Sequence, residues 1–296
     1  MAMNRADISR AMFVGQKDWF VKTLKKNKRE EWKTYMRVEK STKSQETYDT
    51  LGSLHPAQTK TEEGSVKYGK LQQAFQTTIV NETKANGLTT TMEVQEDDQY
   101  NLVDKAGVSE VARTLLQLRE RESAATVDGL FTTVGADGVA YIAANHPLLN
   151  SALVNNNLAA GPVTPANLIA ANNMFNGWLN HAGEAFDTMA TAILAHKNLQ
   201  STIVQVMDST LVAFESSNTK NAVPQLKQIY TRYIAALPWF LIDEELNPLI
   251  FQRRKGLVTE YDYDKRDTFN HYFNAHERYR TGCITPGFGI VGSPGI

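Results

Sequence analysis

Residues 41–70 read STKSQETYDTLGSLHPAQTKTEEGSVKYGK. Only six of the thirty are apolar (Tyr48, Leu51, Leu54, Ala57, Val66 and Tyr68), nine are Ser or Thr, and Gly52, Pro56, Gly64 and Gly69 punctuate the run. Such a composition buries too little apolar surface to offset the entropy of ordering its backbone. Yet it lies between two strongly patterned regions, where a structureless loop of this length is uncommon and usually functional or disordered. Residues 41–70 therefore read as an extended arm that other copies of the chain hold in place.

Working outward, residues 6–33 read as helix, with Trp19, Phe20 and Leu24 on a partial apolar stripe, and 34–40 leave it as a strand. Residues 71–95 alternate apolar and polar side chains and are rich in Thr, as strands are. Asn86-Gly87 tolerates positive φ, so this region is expected to fold as two antiparallel strands about a tight turn. Residues 102–127 form the strongest helical pattern: Val108, Val111, Ala112, Leu115, Leu116 and Leu118 make the apolar stripe, and Glu110, Arg113 and 119–122 cover much of the rest. Asp104 is placed to cap its start and Gly129 to end it, and about 24 residues make a rod of ~36 Å.

Turn residues crowd 135–163, after which Thr164-Pro165 opens a helix with Thr as N-cap and Pro in the first turn. A buried strand at 188–194, a helix at 199–208, strands at 226–236 and 239–242, and a β-rich stretch at 257–290 complete the pattern. The fold class is α+β.

With 296 residues, 42% apolar and 21% charged, the chain suits one large domain or two small ones. A net charge of −1 announces neither a nucleic-acid nor a membrane partner. Residues 17–33 are locally basic, with seven Lys or Arg against Asp18, Glu30 and Glu31. A solvated helix face is the favoured reading; contact with an acidic partner surface or packaged nucleic acid is the other. Cys283 is the only cysteine, which excludes an intrachain disulfide. No run reaches the ~18–20 apolar residues of a membrane helix, and MAMNRADISR lacks the organisation of a signal peptide. Synthesis in the cytosol and no membrane partner are expected.

Motifs that carry chemistry are weak. Gly287, Gly289 and Gly292 spell G-x-G-x-x-G, but only four residues follow, so no helix can complete a dinucleotide site; a flexible glycine-rich tail is expected. The six histidines form no zinc pattern and read as structural or surface groups. Asp97-Asp98 and Asp262/Asp264 are close carboxylate pairs without a phosphate loop, the first placed to end the hairpin and lead into the long helix. Cys283 has no evident histidine partner. Asn81-Glu82-Thr83 matches a glycosylation acceptor but stands without a signal peptide. No catalytic residue, cofactor or metal site is expected, and a structural or assembly role is.

The order of elements resembles the major capsid protein of tailed phages, the Hong Kong 97-type fold, with the closest likeness to the major head subunit of Mu-like phages. The likeness runs through Leu51-Gly52-Ser53-Leu54, Glu96-Asp97-Asp98, Asp137-Gly138 followed by Asn145-His146-Pro147, Ala190 to Leu194, Pro238-Trp239-Phe240-Leu241-Ile242-Asp243, and Arg278-Tyr279-Arg280-Thr281-Gly282. It implies an N-terminal arm at 1–35, an E-loop at 36–80, and a peripheral domain from 81–150 with 255–296, whose spine helix is 102–127. An axial domain at 151–254 completes it.

What the resemblance implies is assembly without turnover: pentamers and hexamers of an icosahedral head enclosing double-stranded DNA. Its partners would be the chain itself, a separate scaffolding protein, packaged DNA held non-specifically, a portal and decoration proteins; its place would be the virion, assembled in the host bacterial cytoplasm. An encapsulin-type compartment shell and an unrelated α+β enzyme are the rival readings. A compact body of this length has a radius of gyration of ~19 Å, whereas an arm with ~15 residues per strand reaches ~50 Å. The arm would thus project onto a neighbour. Tyr48, Leu51, Leu54 and His55 are its expected anchors, and Trp19, Phe20, Trp32 and Tyr35 those of the N-terminal arm, since aromatics are favoured at interface hot spots; packing of these aromatics on their own subunit is the alternative.

Overall fold

The structure, a computed structural model, describes residues 5–26, 30–54, 57–66, 68–71, 73–97, 102–149, 151–212, 219–264, 270–285 and 287–296. Helix α1 (Arg5–Lys26) and a 3-10 turn at Glu31–Thr34 lead into strand β1 (Arg37–Lys40). Strands β2 (Gln45–Leu51), β3 (Gln73–Val80) and β4 (Glu82–Thr90) follow, then the short helix α2 (Met92–Asp97) and the 27-residue helix α3 (Leu102–Asp128). A small hairpin, β5 (His146–Leu148) and β6 (Ser151–Asn155), precedes helix α4 (Pro165–Asn176). Strand β7 (Ala192–His196), helix α5 (Gln200–Asp208) and strands β8 (Lys227–Thr231) and β9 (Trp239–Ile242) come next. The chain closes on two long strands, β10 (Leu249–Tyr263) and β11 (His271–Cys283), and on β12 (Ile290–Ser293).

Two four-stranded sheets carry these elements, in the orders β1-β10-β11-β4 and β12-β9-β7-β8. Helix α3, about 40 Å long at 1.5 Å per residue, spans two cores. Its first half sets Val108, Val111, Ala112 and Leu115 against Phe273 and Ala275 of β11 and Phe20 of α1. Its second half contributes Ala124 and Val127 to the core between the sheets. The stripe read from the sequence, Val108 to Leu118, meets the first of these cores, and Ala124 and Val127 beyond it meet the second.

The second sheet is buried on both faces, and residue parity shows how. Ala192, Leu194, Phe240, Ile242 and Ile290 face the core shared with the first sheet. Their neighbours Ile193, Ala195, Trp239, Leu241 and Val291 face α4 and α5. A strand buried on both faces reads as a continuous apolar run, which is why Ala192 to Ala195 and Trp239 to Ile242 stood out in the sequence. Thr164 caps α4 as expected, its hydroxyl accepting the Asn167 N–H at 3.2 Å.

Four expectations need correction. Strands β3 and β4 are consecutive but do not pair: β3 pairs back with β2, and β4 pairs with β11. Asn86-Gly87 lies in mid-strand opposite Asn274 and Ala275, because long-range pairing outweighs a local turn preference. A Cβ at Gly87 would lie 3.2 Å from the Phe273 carbonyl oxygen, so glycine there serves close strand approach. Asp104 falls inside α3, which begins at Leu102. The glycine-rich end is no loose tail, since Ile290–Ser293 is a buried strand paired with β9. Finally, that strand joins the second sheet rather than the first, and β10 begins at Leu249, so the division at 254/255 cuts through a strand.

Candidate assembly site

The arm leaves the body as a two-stranded ribbon, β2 against β3, paired from Gln45↔Val80 to Leu51↔Gln73. Strands of seven and eight residues make a ladder of about 20–25 Å, half the strand length that composition suggested. An isolated two-stranded ribbon is marginal in water, so its root has to be fastened. The Tyr48 hydroxyl donates to Gln252 Oε1 at 2.9 Å, and Gln252 Nε2 donates to the Ile79 carbonyl at 3.2 Å. Thr77 donates to the Ile284 carbonyl, and Ile79 packs against Gly282, where a Cβ would lie 2.8 Å from its Cδ1. At the corner between β3 and β4, Asn81 Nδ2 donates to Ser41 Oγ and the Lys43 carbonyl. The Ser41 hydroxyl in turn holds the Glu46 carboxyl below its ordinary pKa.

Past Leu51 and Gln73 the described residues form no further ladder. Leu54, Val66, Tyr68 and Leu71 are exposed there, Tyr68 to 91%. Two hollows flank the root. One, of about 540 Å³, runs between β3, the second half of α3 and β11, with Thr77, Glu122, Thr126 and Arg280 on its walls. The other, of about 150 Å³, lies between Leu51 and Ser53 of the arm and His181, Phe186, Leu246 and Phe288 of the body.

The expected anchors separate into two groups. Leu51 and Leu54 are exposed, and Trp19 is 40% exposed with the Lys22 and Lys105 ammonium groups 5.3 and 5.6 Å from its ring. Phe20, Trp32 and Tyr35, by contrast, are buried in their own subunit. Phe20 meets Phe273 at 5.7 Å, and Trp32 stacks on Phe251 at 4.0 Å, which stacks on Tyr279 at 4.6 Å. An aromatic suits a core as well as an interface, and here α3 and β10 take these rings. Tyr48 is half-buried at the arm root, and His55 lies outside the described residues. Gln252, His181 and Phe288 escaped the sequence reading, since nothing in their local sequence separates them from ordinary core residues.

Three titratable groups away from the arm are held by packing and hydrogen bonds. Burial pushes the Cys283 thiol up to about 12, away from a reactive thiolate. His146 Nδ1 meets Asp137 at 2.6 Å, but its Nε2 meets the Asn157 amide oxygen at 3.0 Å instead of a nucleophile. Burial also raises the Glu120 carboxyl to about 7; its Oε2 accepts the Trp32 N–H at 3.1 Å, which ties α3 to the segment after α1. Among the described residues no three His, Cys, Asp or Glu side chains are grouped to hold a metal, and no helix is long and apolar enough to cross a membrane.

No protein-family model matches this chain, and no curated protein sequence does. Solved structures do. The capsid of cyanophage P-SCSP1u superposes with a TM-score of 0.56 at 10% identity, covering 88% of this chain and 86% of that one. The virus-like particle from Pyrococcus furiosus gives 0.54 at 10% identity, over 93% and 96%. The bacteriophage JBD30 capsid gives 0.51 at 12% identity, over 88% of this chain but only 63% of the JBD30 chain. The fold is thus the Hong Kong 97-type fold of phage capsid proteins, with its α+β mixture of a spine helix and two sheets. At such low identities the likeness defines the fold.

Proposed function

We propose that this chain is the major capsid protein of a tailed-phage head, a structural subunit that acts by self-assembly and not by turnover. The observation that carries this reading is the arm: a ribbon fastened at its root, whose outer part exposes Leu54, Val66, Tyr68 and Leu71. Exposed apolar side chains on a marginal ribbon gain burial only against another copy, and a closed shell repeats that modest contact many times. The fold agrees, since it is the one shared with capsid structures.

In this reading the first sheet with α3 forms the peripheral domain, the second sheet with α4 and α5 the axial domain, and α1 the N-terminal arm. Double-stranded DNA, a scaffolding protein, a portal and decoration proteins would be its partners, and the host cytoplasm the place of assembly. The likeness to Mu-like head subunits belongs to this proposal too. A cellular compartment shell would differ in cargo, enclosing an enzyme in place of DNA.

The test is negative-stain microscopy of the concentrated chain beside a variant in which 52–72 are replaced by an Asn-Gly turn joining Leu51 to Gln73. The intact chain is expected to form hollow particles, rings or tubes, and the variant to stay folded and unassembled. A variant that makes normal particles removes the arm from the mechanism, and an intact chain that stays monomeric counts against the shell reading.

A further inference from the structure

The chain holds two Asn-Gly pairs, Asn86-Gly87 and Asn176-Gly177, and the fold treats them oppositely. All four residues are exposed, so access does not separate them. What separates them is the partner of the glycine nitrogen. Gly177 ends α4, and its N–H is committed to the Met174 and Phe175 carbonyls. Gly87 lies on β4, an edge strand that pairs with β11 alone. Its N–H is donated at 2.9 Å to Oδ1 of Asn86, the carboxamide one residue back. That carboxamide is clamped from its other end. Its Nδ2 donates to Thr114 Oγ1 of α3 at 2.5 Å, and the Thr114 hydroxyl gives its own proton to the Val111 carbonyl at 3.0 Å. A donor on one side and an acceptor on the other fix which way the carboxamide points. Glycine carries no side chain to hinder its nitrogen, and holding that nitrogen against the group it can attack makes the reaction intramolecular and oriented.

We propose that Asn86 is a site of self-modification, deamidating in the folded chain while Asn176 does not. The Gly87 nitrogen bonds to Asn86 Cγ and the Cγ–Nδ2 bond breaks. The Gly87 amide proton passes through solvent to the leaving Nδ2, which departs as ammonia. The cyclic imide that results takes up one water and opens to Asp or to isoaspartate at 86; water is the only co-reactant. Asp at 86 places a carboxylate on the hollow of about 220 Å³ between β4 and α3 that Arg121 also lines, where the two charges attract. Isoaspartate adds a backbone atom opposite Ala275 and breaks the register of β4 on β11. Either product adds one negative charge at the edge of the first sheet. This site is independent of the shell reading.

The purified chain is incubated in mildly alkaline buffer made with water enriched in heavy oxygen, once folded and once in urea, and its peptides are mapped by mass spectrometry. In the folded chain, position 86 is expected to lose its amide and gain labelled oxygen several times faster than position 176. In urea only the shared Asn-Gly pair remains, and the two positions are expected to convert at similar rates. Thr114→Val frees the carboxamide and is expected to slow conversion at 86 severalfold while 176 stays as protected as in the parent, which also reports that the variant is folded. A folded chain in which 86 stays intact, or converts no faster than 176, overturns the proposal. An unchanged rate at 86 in folded Thr114→Val overturns it as well.

Discussion

Tyr48 and Gln252 lie 204 positions apart in sequence, and the Tyr48 hydroxyl donates to the Gln252 carboxamide oxygen at 2.9 Å. Gln252 is fully buried on β10 and is held from its other end by the Ile79 carbonyl. One side chain of the first sheet therefore grips both strands of the arm ribbon. Tyr48→Phe removes a single hydrogen bond and is expected to cost about 1 kcal/mol, felt as faster amide exchange in β2 with little change in global unfolding. Gln252→Leu leaves the Tyr48 hydroxyl and the Ile79 carbonyl without partners, so a larger loss of about 1–3 kcal/mol is expected. Exchange rates in β2 that match the parent in both variants would show that the ribbon is fastened by other contacts.

The spine helix is tied to the first sheet by charge. Arg119 Nε donates to both Glu277 oxygens at 2.9 and 3.0 Å and Nη2 to one of them at 2.5 Å, while Nη1 reaches Glu30 at 2.9 Å. The Glu277 carboxylate side chain is 2% exposed, and hydrogen bonding and attraction from Glu277 hold the Arg119 pKa above its ordinary value against the opposing effect of burial. Removing one partner of a buried pair strands the other charge, so Arg119→Ala is expected to cost roughly 3–5 kcal/mol in urea unfolding. The double variant Arg119→Leu with Glu277→Leu should lose less than Arg119→Ala, since no buried charge is left unpaired. A double variant less stable than the single one would contradict this account.

Those two ties show what the sequence could and could not disclose. Helix α3 was legible because its stripe repeats over many turns, and β7 and β9 because burial on both faces leaves no polar position. The pairing of β3 was not, because Asn86-Gly87 satisfies the local requirements of a turn and only the distant strand β11 overrides it. Phe20, Trp32 and Tyr35 carried the composition of an interface, but the first two rings pack equally well on Phe273 and Phe251. The arm was legible from poverty of apolar residues. Its root was not, since a lone Gln on β10 and a lone His before a turn have no spacing that marks them.

Glu120 makes stability depend on pH. The residue is 5% exposed, and burial lifts its carboxyl from 4.5 to about 7. A group that binds its proton more tightly when folded adds stability that is complete below its unfolded pKa and is lost as pH rises through the folded value. Global stability should therefore fall as pH rises between about 4.5 and 7, as the buried carboxyl is forced to ionise. Glu120→Gln keeps an acceptor for the Trp32 N–H and cannot ionise. It is expected to be more stable than the parent at about pH 8, on the order of 1–2 kcal/mol, with the gain vanishing near about pH 5. Thermal unfolding across that range tests this, and parallel profiles for the two proteins would exclude Glu120 as the source.

Gly289 and Gly15 predict opposite outcomes for the same substitution. Gly289 has φ +75°, and a Cβ there would lie 2.3 Å from the Leu246 carbonyl oxygen, a backbone atom that cannot step aside. Ala at that position meets both the left-handed backbone penalty of about 1–2 kcal/mol and a clash with the chain that leads into β10. Gly289→Ala is expected to destabilise by well over about 2 kcal/mol and to loosen the β12 edge of the second sheet. Gly15 sits on the exposed side of α1, with no other atom within 4 Å of where an alanine methyl would sit, so Gly15→Ala gains helix propensity of roughly 0.5–1 kcal/mol. Because α1 packs on α3 through Phe20, that gain should appear as slower exchange along α1 and an unfolding midpoint at or above the parent's. If Gly289→Ala proves as well tolerated as Gly15→Ala, the close approach at the Leu246 carbonyl is not a constraint on the fold, and the glycines near the end of the chain are free of the packing assigned to them.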